Sequence, residues 1–336
     1  MASFGFETTG DELVSQFADR VTGRIFLITG PSHGGIGAET AISLARAKPA
    51  SLILVGRALE RIQPTIDAIK AIDPSIPVKF IPTDLTSLAS VRKAAQTILD
   101  DASIPHIDVV INNAAVMACP YSLTEDGFEL QLAAAHLGHF VLTNRILPKV
   151  LLATKTQPTP GATRIINVSS IGNRAGGIRW DDPNYTVRPH EYHPFDAYGQ
   201  AKTSNILFTV ELDRRLAAAA AAATSSAAVR SFALHPGSIT TNLGRHLTQE
   251  IALGALEKIF GPGAEFPPRK TLQQGCATTL RAALDPALDA EKDGHYLHDC
   301  QFTTKPVDIA PWALDEADAR RIWKWTEELV GEKFDL

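Results

Sequence analysis

Cysteine is too scarce here for a disulfide framework: Cys119, Cys276 and Cys300 are the only three in 336 residues. They read as reduced, mostly buried thiols of a cytoplasmic protein. Basic charge is also short. Thirty-two Lys and Arg against 37 Asp and Glu leave a formal net charge of −5, which argues against nucleic acid or an anionic membrane as the main partner. Long apolar runs are missing. The best candidate, 141–153, is broken by Asn144, Arg145, Pro148 and Lys149 and falls short of the ~20 residues that span a bilayer. The N-terminus carries Glu7, Asp11, Glu12 and Asp19 and lacks a basic-then-apolar targeting pattern. Neither a Cys-x-x-Cys set nor a carboxylate triad accompanies His136, His139, His190, His193, His295 and His298, so no metal site is expected.

What is present is ordinary globular material, 45 % apolar and 21 % charged, in a strict alternation of two patterns. Short apolar runs at 24–29, 51–55, 78–81, 108–111, 164–168 and 229–234 read as strands covered on both faces. Helical patterns fill 37–47, 59–72, 87–100, 127–154 and 195–223. A last strand at 294–297 and a terminal helix at 314–330 complete the series, the helix packing Ile322, Trp325 and Leu329 on the core. The polyalanine run from Ala217 reads as the frayed end of the preceding helix, followed by a loop at Thr224-Ser225-Ser226. This alternation predicts an α/β fold, doubly wound, with a parallel sheet of about seven strands and helices on both faces. No linker stands out. One domain over 1–336 is expected: an N-terminal extension (1–22), a nucleotide-binding half (23–160) and a catalytic, substrate-binding half (161–336).

Two motifs carry chemistry. Gly30, Ser32, His33, Gly35, Ile36 and Gly37 lie between the first strand and first helix, where glycines admit a pyrophosphate and the helix N-terminus supplies amide donors. The next strand ends on Arg57 rather than the usual carboxylate. An arginine there suits a ribose 2′-phosphate, so NADP(H) is expected over NAD(H). Further on, Tyr198 and Lys202 stand one helical turn apart. A nearby ammonium favours a phenolate, which predicts a lowered Tyr198 pKa and a proton donor or acceptor for C–OH/C=O interconversion.

With these motifs in place, the chain resembles the short-chain dehydrogenase/reductase family over almost its whole length. Asp84-Leu85 matches the position that contacts adenine. Asn113, Ala114 and Ala115 match the Asn-Asn-Ala-Gly turn, with alanine in the last place. Ser170 aligns with the catalytic serine. Pro236, Gly237, Ile239 and Thr241 match the turn beside the nicotinamide. His136-Leu137-Gly138-His139-Phe140 and Gly294-His295-Tyr296-Leu297 resemble the retinol-dehydrogenase and WW-domain-oxidoreductase branch. The resemblance implies a Rossmann-type fold and hydride transfer. Ser170 would orient the substrate oxygen, Tyr198 exchange a proton with it, and Lys202 support the phenolate and hold the nicotinamide ribose.

One departure matters. Ala135 stands where the family carries an asparagine that holds a water leading from the lysine to solvent. The Ala135 carbonyl remains to support such a relay. The substitution also opens a second reading: a cofactor-binding protein or non-redox cyclase with impaired hydride chemistry. Trp180, Tyr185, Tyr192 and Phe195, with the apolar series Leu243, Leu247, Ile251, Leu256, Ile259, Phe260 and Phe266, are candidates to wall a pocket for a bulky lipophilic small molecule, such as a secondary metabolite. Monomer and homodimer remain equally open.

Overall fold

The computed structural model describes residues 4–156, 162–223, 229–291 and 294–336. In chain order, α1 (Gly10–Gln16) precedes β1 (Ile25–Thr29), α2 (Ile36–Ala45), β2 (Ser51–Gly56), α3 (Leu59–Ile72), β3 (Val78–Pro82), α4 (Leu88–Asp100) and β4 (Val109–Asn112). Next come a short α5 (Leu130–Leu132), α6 (Gly138–Thr156), β5 (Arg164–Val168), α7 (Pro194–Ala222) and β6 (Arg230–His235). The rest holds β7 (Ser238–Ile239), α8 (Gln249–Phe260), β8 (Arg269–Lys270), α9 (Leu272–Leu284), β9 (Tyr296–His298), β10 (Gln301–Phe302) and α10 (Glu316–Val330).

The main sheet runs β10-β9-β6-β5-β4-β1-β2-β3. Seven strands are parallel, as the continuous apolar runs predict. The eighth, β10, is antiparallel. Asp299 and Cys300 both take positive φ, which closes a two-residue hairpin and folds the chain back on the edge. One face is covered by α4, α6, α7 and α10, where Val91, Phe140, Phe208 and Trp323 meet the sheet. The other is covered by α1, α2, α3 and α9, through Leu13, Ala41, Ile62 and Leu280. Phe140 has no exposed surface and contacts the rings of Phe208, Trp323 and Phe334. Phe140→Ala is expected to cost about 3–5 kcal/mol of unfolding free energy, read by urea titration.

Three expectations change. The predicted helix at 127–154 starts only at Leu130, because Gly127 turns with positive φ and the Glu129 carboxylate caps the Gln131 and Leu132 amides. It then widens into a π-helical turn over Ala133–Leu137 before running on as α6. The alanines do not fray: α7 continues to Ala222, as alanine's helix propensity favours. The loop expected at Thr224-Ser225-Ser226 lies outside the described residues. The N-terminal extension is not a loose appendage. Thr9 and Glu12 form a capping box, and α1 docks on α9 with Gly10 against Cys276 and Leu280. Helix α9 was missed because its Gly, Cys and Thr content dilutes the apolar stripe. The terminal helix does pack on the core, burying Ile322 and Trp323.

Candidate functional site

The strands β1, β2, β4, β5 and β6 end at one edge of the sheet, and the strand order reverses between β1 and β4. Open α/β sheets place their ligand crevice at such a switch point. A cavity of about 1340 Å³ lies here. Of the residues singled out in the sequence, Gly30, Ser32, His33, Gly35, Ile36, Arg57, Asp84, Leu85, Asn113, Ala114 and Ala115 line it. So do Ser170, Tyr198, Lys202, Pro236, Gly237, Ile239 and Thr241. Gly37 does not. It is buried where a β-carbon would run into the Asn113 side chain, so its part is helix–strand packing. Gly30 has φ of 66°, and a β-carbon would come within 2.8 Å of Ala114. Only glycine suits that approach.

A hydrogen-bonded core sets the turns around the cavity. Thr29 Oγ1 accepts from the Asn113 and Ala114 amides and stands 2.8 Å from His139 Nε2. Having used its lone pairs, the hydroxyl donates to Nε2. His139 Nδ1–H donates in turn to the Ala135 carbonyl at 2.9 Å. Burial pulls the His139 pKa down to about 4, which keeps the ring neutral. The Ala135 carbonyl expected to support a water relay is therefore already engaged by His139, and the π-helical turn survives without asparagine.

Ser170, Tyr198 and Lys202 come together at the ends of β5 and α7. Ser170 and Tyr198 line the same cavity, and Ser170 Oγ accepts from the Gly172 amide at 3.0 Å. Lys202 Nζ lies 5.6 Å from the Tyr198 ring centroid and donates to the Val168 carbonyl at 2.8 Å. Both side chains are buried. Burial disfavours either charge, pushing Tyr198 up to about 12 and Lys202 down to about 7. The expected lowering of the Tyr198 pKa is thus corrected: removal from water outweighs the lysine, whose own charge burial suppresses.

At the far end, Arg57 and His33 are exposed on the cavity rim, and Arg57 forms no ion pair among the described residues. Asp84 Oδ1 accepts from the Thr86 amide and hydroxyl. The apolar wall differs from expectation. Phe195, Leu243, Leu247, Phe260 and Phe266 line the cavity, whereas Trp180, Tyr185 and Tyr192 do not. Trp180 packs on Trp325, and Tyr185 lies buried under Arg179 and against Tyr192. Among the described residues no cluster of three His, Cys, Asp or Glu is placed to hold a metal, and no helix is long and apolar enough to cross a membrane.

A family profile described as short chain dehydrogenase matches residues 24–185. A short-chain dehydrogenase/reductase of Penicillium roqueforti, prx1, is 36 % identical over 322 residues, spanning 93 % of this chain and 86 % of its own. The chain belongs to the short-chain dehydrogenase/reductase family. It is an oxidoreductase of a family that uses nicotinamide cofactors. Human retinol dehydrogenase 13 is 34 % identical over 317 residues, covering 93 % of this chain and 86 % of that protein. Among solved structures, an uncharacterized protein from Mycobacterium paratuberculosis superposes with a TM-score of 0.67 at 31 % identity. That match covers 95 % of this family member and 98 % of the other chain. The NADP complex of Pseudomonas aeruginosa RhlG shares the fold, with a TM-score of 0.56 at 20 % identity over 79 % of this chain and 91 % of its own.

Proposed function

We propose that the chain is an NADP(H)-dependent oxidoreductase that interconverts a ketone or aldehyde and an alcohol on a bulky lipophilic small molecule. The observation that carries this reading is the meeting of Ser170, Tyr198 and Lys202 at one cavity that also reaches Arg57. The cavity fits a dinucleotide. The Gly30 turn leaves room for a pyrophosphate against the start of α2, and Asp84, Leu85, Asn113, Ala114 and Ala115 border the adenosine side. Pro236, Gly237, Ile239 and Thr241 line the same cavity and would border the nicotinamide. Gly237, at φ of 106°, packs directly on the Lys270 side chain.

The bound cofactor would supply or accept the hydride. The protein's own part is position and proton transfer. Ser170 orients the substrate oxygen through its hydroxyl. Tyr198, held as a neutral phenol by burial, donates its proton to that oxygen in reduction. Lys202 supplies the replacement proton and holds the ribose hydroxyls. The apolar wall of Phe195, Leu243, Leu247, Phe260 and Phe266 receives a lipophilic substrate. The same reading makes the chain a single domain over 1–336 and a cytoplasmic enzyme of secondary metabolism.

Arg57 and His33 would bind the 2′-phosphate. Wild-type protein is then expected to bind NADPH at least ~10-fold more tightly than NADH. Arg57→Ala should weaken NADPH binding by about 10- to 100-fold and leave NADH binding unchanged. Titration of cofactor fluorescence measures both. Equal affinities that are indifferent to Arg57→Ala would refute the assignment.

A further inference from the structure

Behind Lys202 lies a second set of titratable groups that the reaction above does not use. β6 and β9 are parallel neighbours with His235 and His298 in register. Their side chains therefore project from the same face of the sheet. The rings lie 5.0 Å apart, tilted by 63°. His235 is buried, and its Nδ1 has no hydrogen-bond partner among the described residues. A buried polar atom without a partner needs an explanation. His235 and His298 line the same cavity as Tyr198 and Lys202. Burial above all holds the His235 ring neutral, and His298 from β9, Lys270 from β8 and Lys202 from α7 act in the same direction. Lys270 is itself tied to Asp299 at 2.6 Å.

His298 sits further out, with 24 % of its side chain exposed. Its Nδ1 donates to Asp308 Oδ1 at 2.8 Å, and Asp308 Oδ2 accepts from Thr303 Oγ1 at 2.7 Å. His298 Nε2 faces Asp299 Oδ1 at 3.8 Å, so the ring has a carboxylate beside each nitrogen. A neutral imidazole can take a proton at one nitrogen and release one from the other. His235 is placed for this, beside the His298 ring and lining the cavity that Lys202 also lines.

We propose that His235, backed by the His298–Asp308 pair, carries the proton between the Tyr198–Lys202 pair and solvent. This rests on the oxidoreductase reading. It supplies an exit that does not pass by Ala135, where no asparagine side chain is present to hold a water and the carbonyl already accepts from His139. In reduction the substrate oxygen takes a proton from Tyr198. Lys202 replaces that proton, His235 reprotonates Lys202, His298 reprotonates His235, and solvent reprotonates His298. One proton enters for each hydride delivered from the reduced nicotinamide, so no charge accumulates on the protein. Oxidation runs the chain backwards.

The test compares wild type, His235→Gln and Tyr198→Phe across pH with saturating cofactor and carbonyl. His235→Gln should lower kcat by about 10- to 100-fold near neutrality. KM and NADPH affinity should stay within about 2-fold, and added imidazole should restore part of the loss. Introducing Ala135→Asn into the His235→Gln background should also restore turnover, by reopening the family's route. A His235→Gln pH profile superimposable on wild type, while Tyr198→Phe is inactive, overturns the relay and leaves the site reading standing. An active Tyr198→Phe overturns both. Nitrogen NMR of the histidines in unaltered protein is independent of turnover. It should find His235 neutral at neutral pH and His298 with its proton on Nδ1. A His235 imidazolium at neutral pH would overturn the proposal.

Discussion

Tyr198→Phe is expected to lower kcat by about 10²- to 10⁴-fold while NADPH affinity changes by less than about 2-fold. The substitution removes one oxygen from a ring that stays packed against Phe195 at 5.4 Å, so the cavity keeps its shape. What disappears is the hydroxyl that would trade a proton with the substrate oxygen, in the cavity that Ser170 also lines. Steady-state turnover of any accepted carbonyl, with cofactor binding measured in parallel, checks both halves. A loss of only a few-fold would move the proton transfer to another group.

Lys202→Met should do something less usual: abolish turnover yet stabilise the cofactor-free protein. Native Lys202 holds its proton only below about pH 7, whereas an unfolded lysine holds one up to about 10.5. Between these values the unfolded state binds more protons, so stability rises with pH through that window. At and below pH 7 the buried charge costs on the order of 5 kcal/mol. Methionine removes the charge, and the Val168 carbonyl keeps Asn205 Nδ2 as a donor at 3.3 Å. Urea titration at pH 6 should find the variant more stable by about 2–4 kcal/mol, with a flattened slope between pH 7 and 10. Lower stability with an unchanged slope would mean that Lys202 is solvated in the native state.

Much of this was legible in the sequence because it is local. β5 occupies Arg164–Val168 as read, since a short run centred on Ile165, Ile166 and Val168 between turn signals leaves little choice. The Tyr198–Lys202 proximity follows from helix spacing alone. The Gly30 turn and Arg57 follow from their places after β1 and β2. What escaped depends on tertiary contacts. The pKa values of Tyr198 and Lys202 are set by how much of the fold covers them, which no spacing reveals. His235 and His298 meet only because β6 pairs with β9. Tyr185 and Trp180 look like pocket walls in the sequence, yet Arg179 and Trp325 claim their faces. His139 was visible as part of a motif, but its bond to the Ala135 carbonyl requires the π-helical turn.

Incubating the protein with a panel of lipophilic carbonyls and NADPH carrying deuterium at both nicotinamide C4 positions, followed by mass spectrometry of the products, is the most direct trial. Alcohol carrying one deuterium on the former carbonyl carbon, formed by wild type and not by Tyr198→Phe, is the expected result. Tight NADPH binding with no label transferred to any carbonyl would contradict the account.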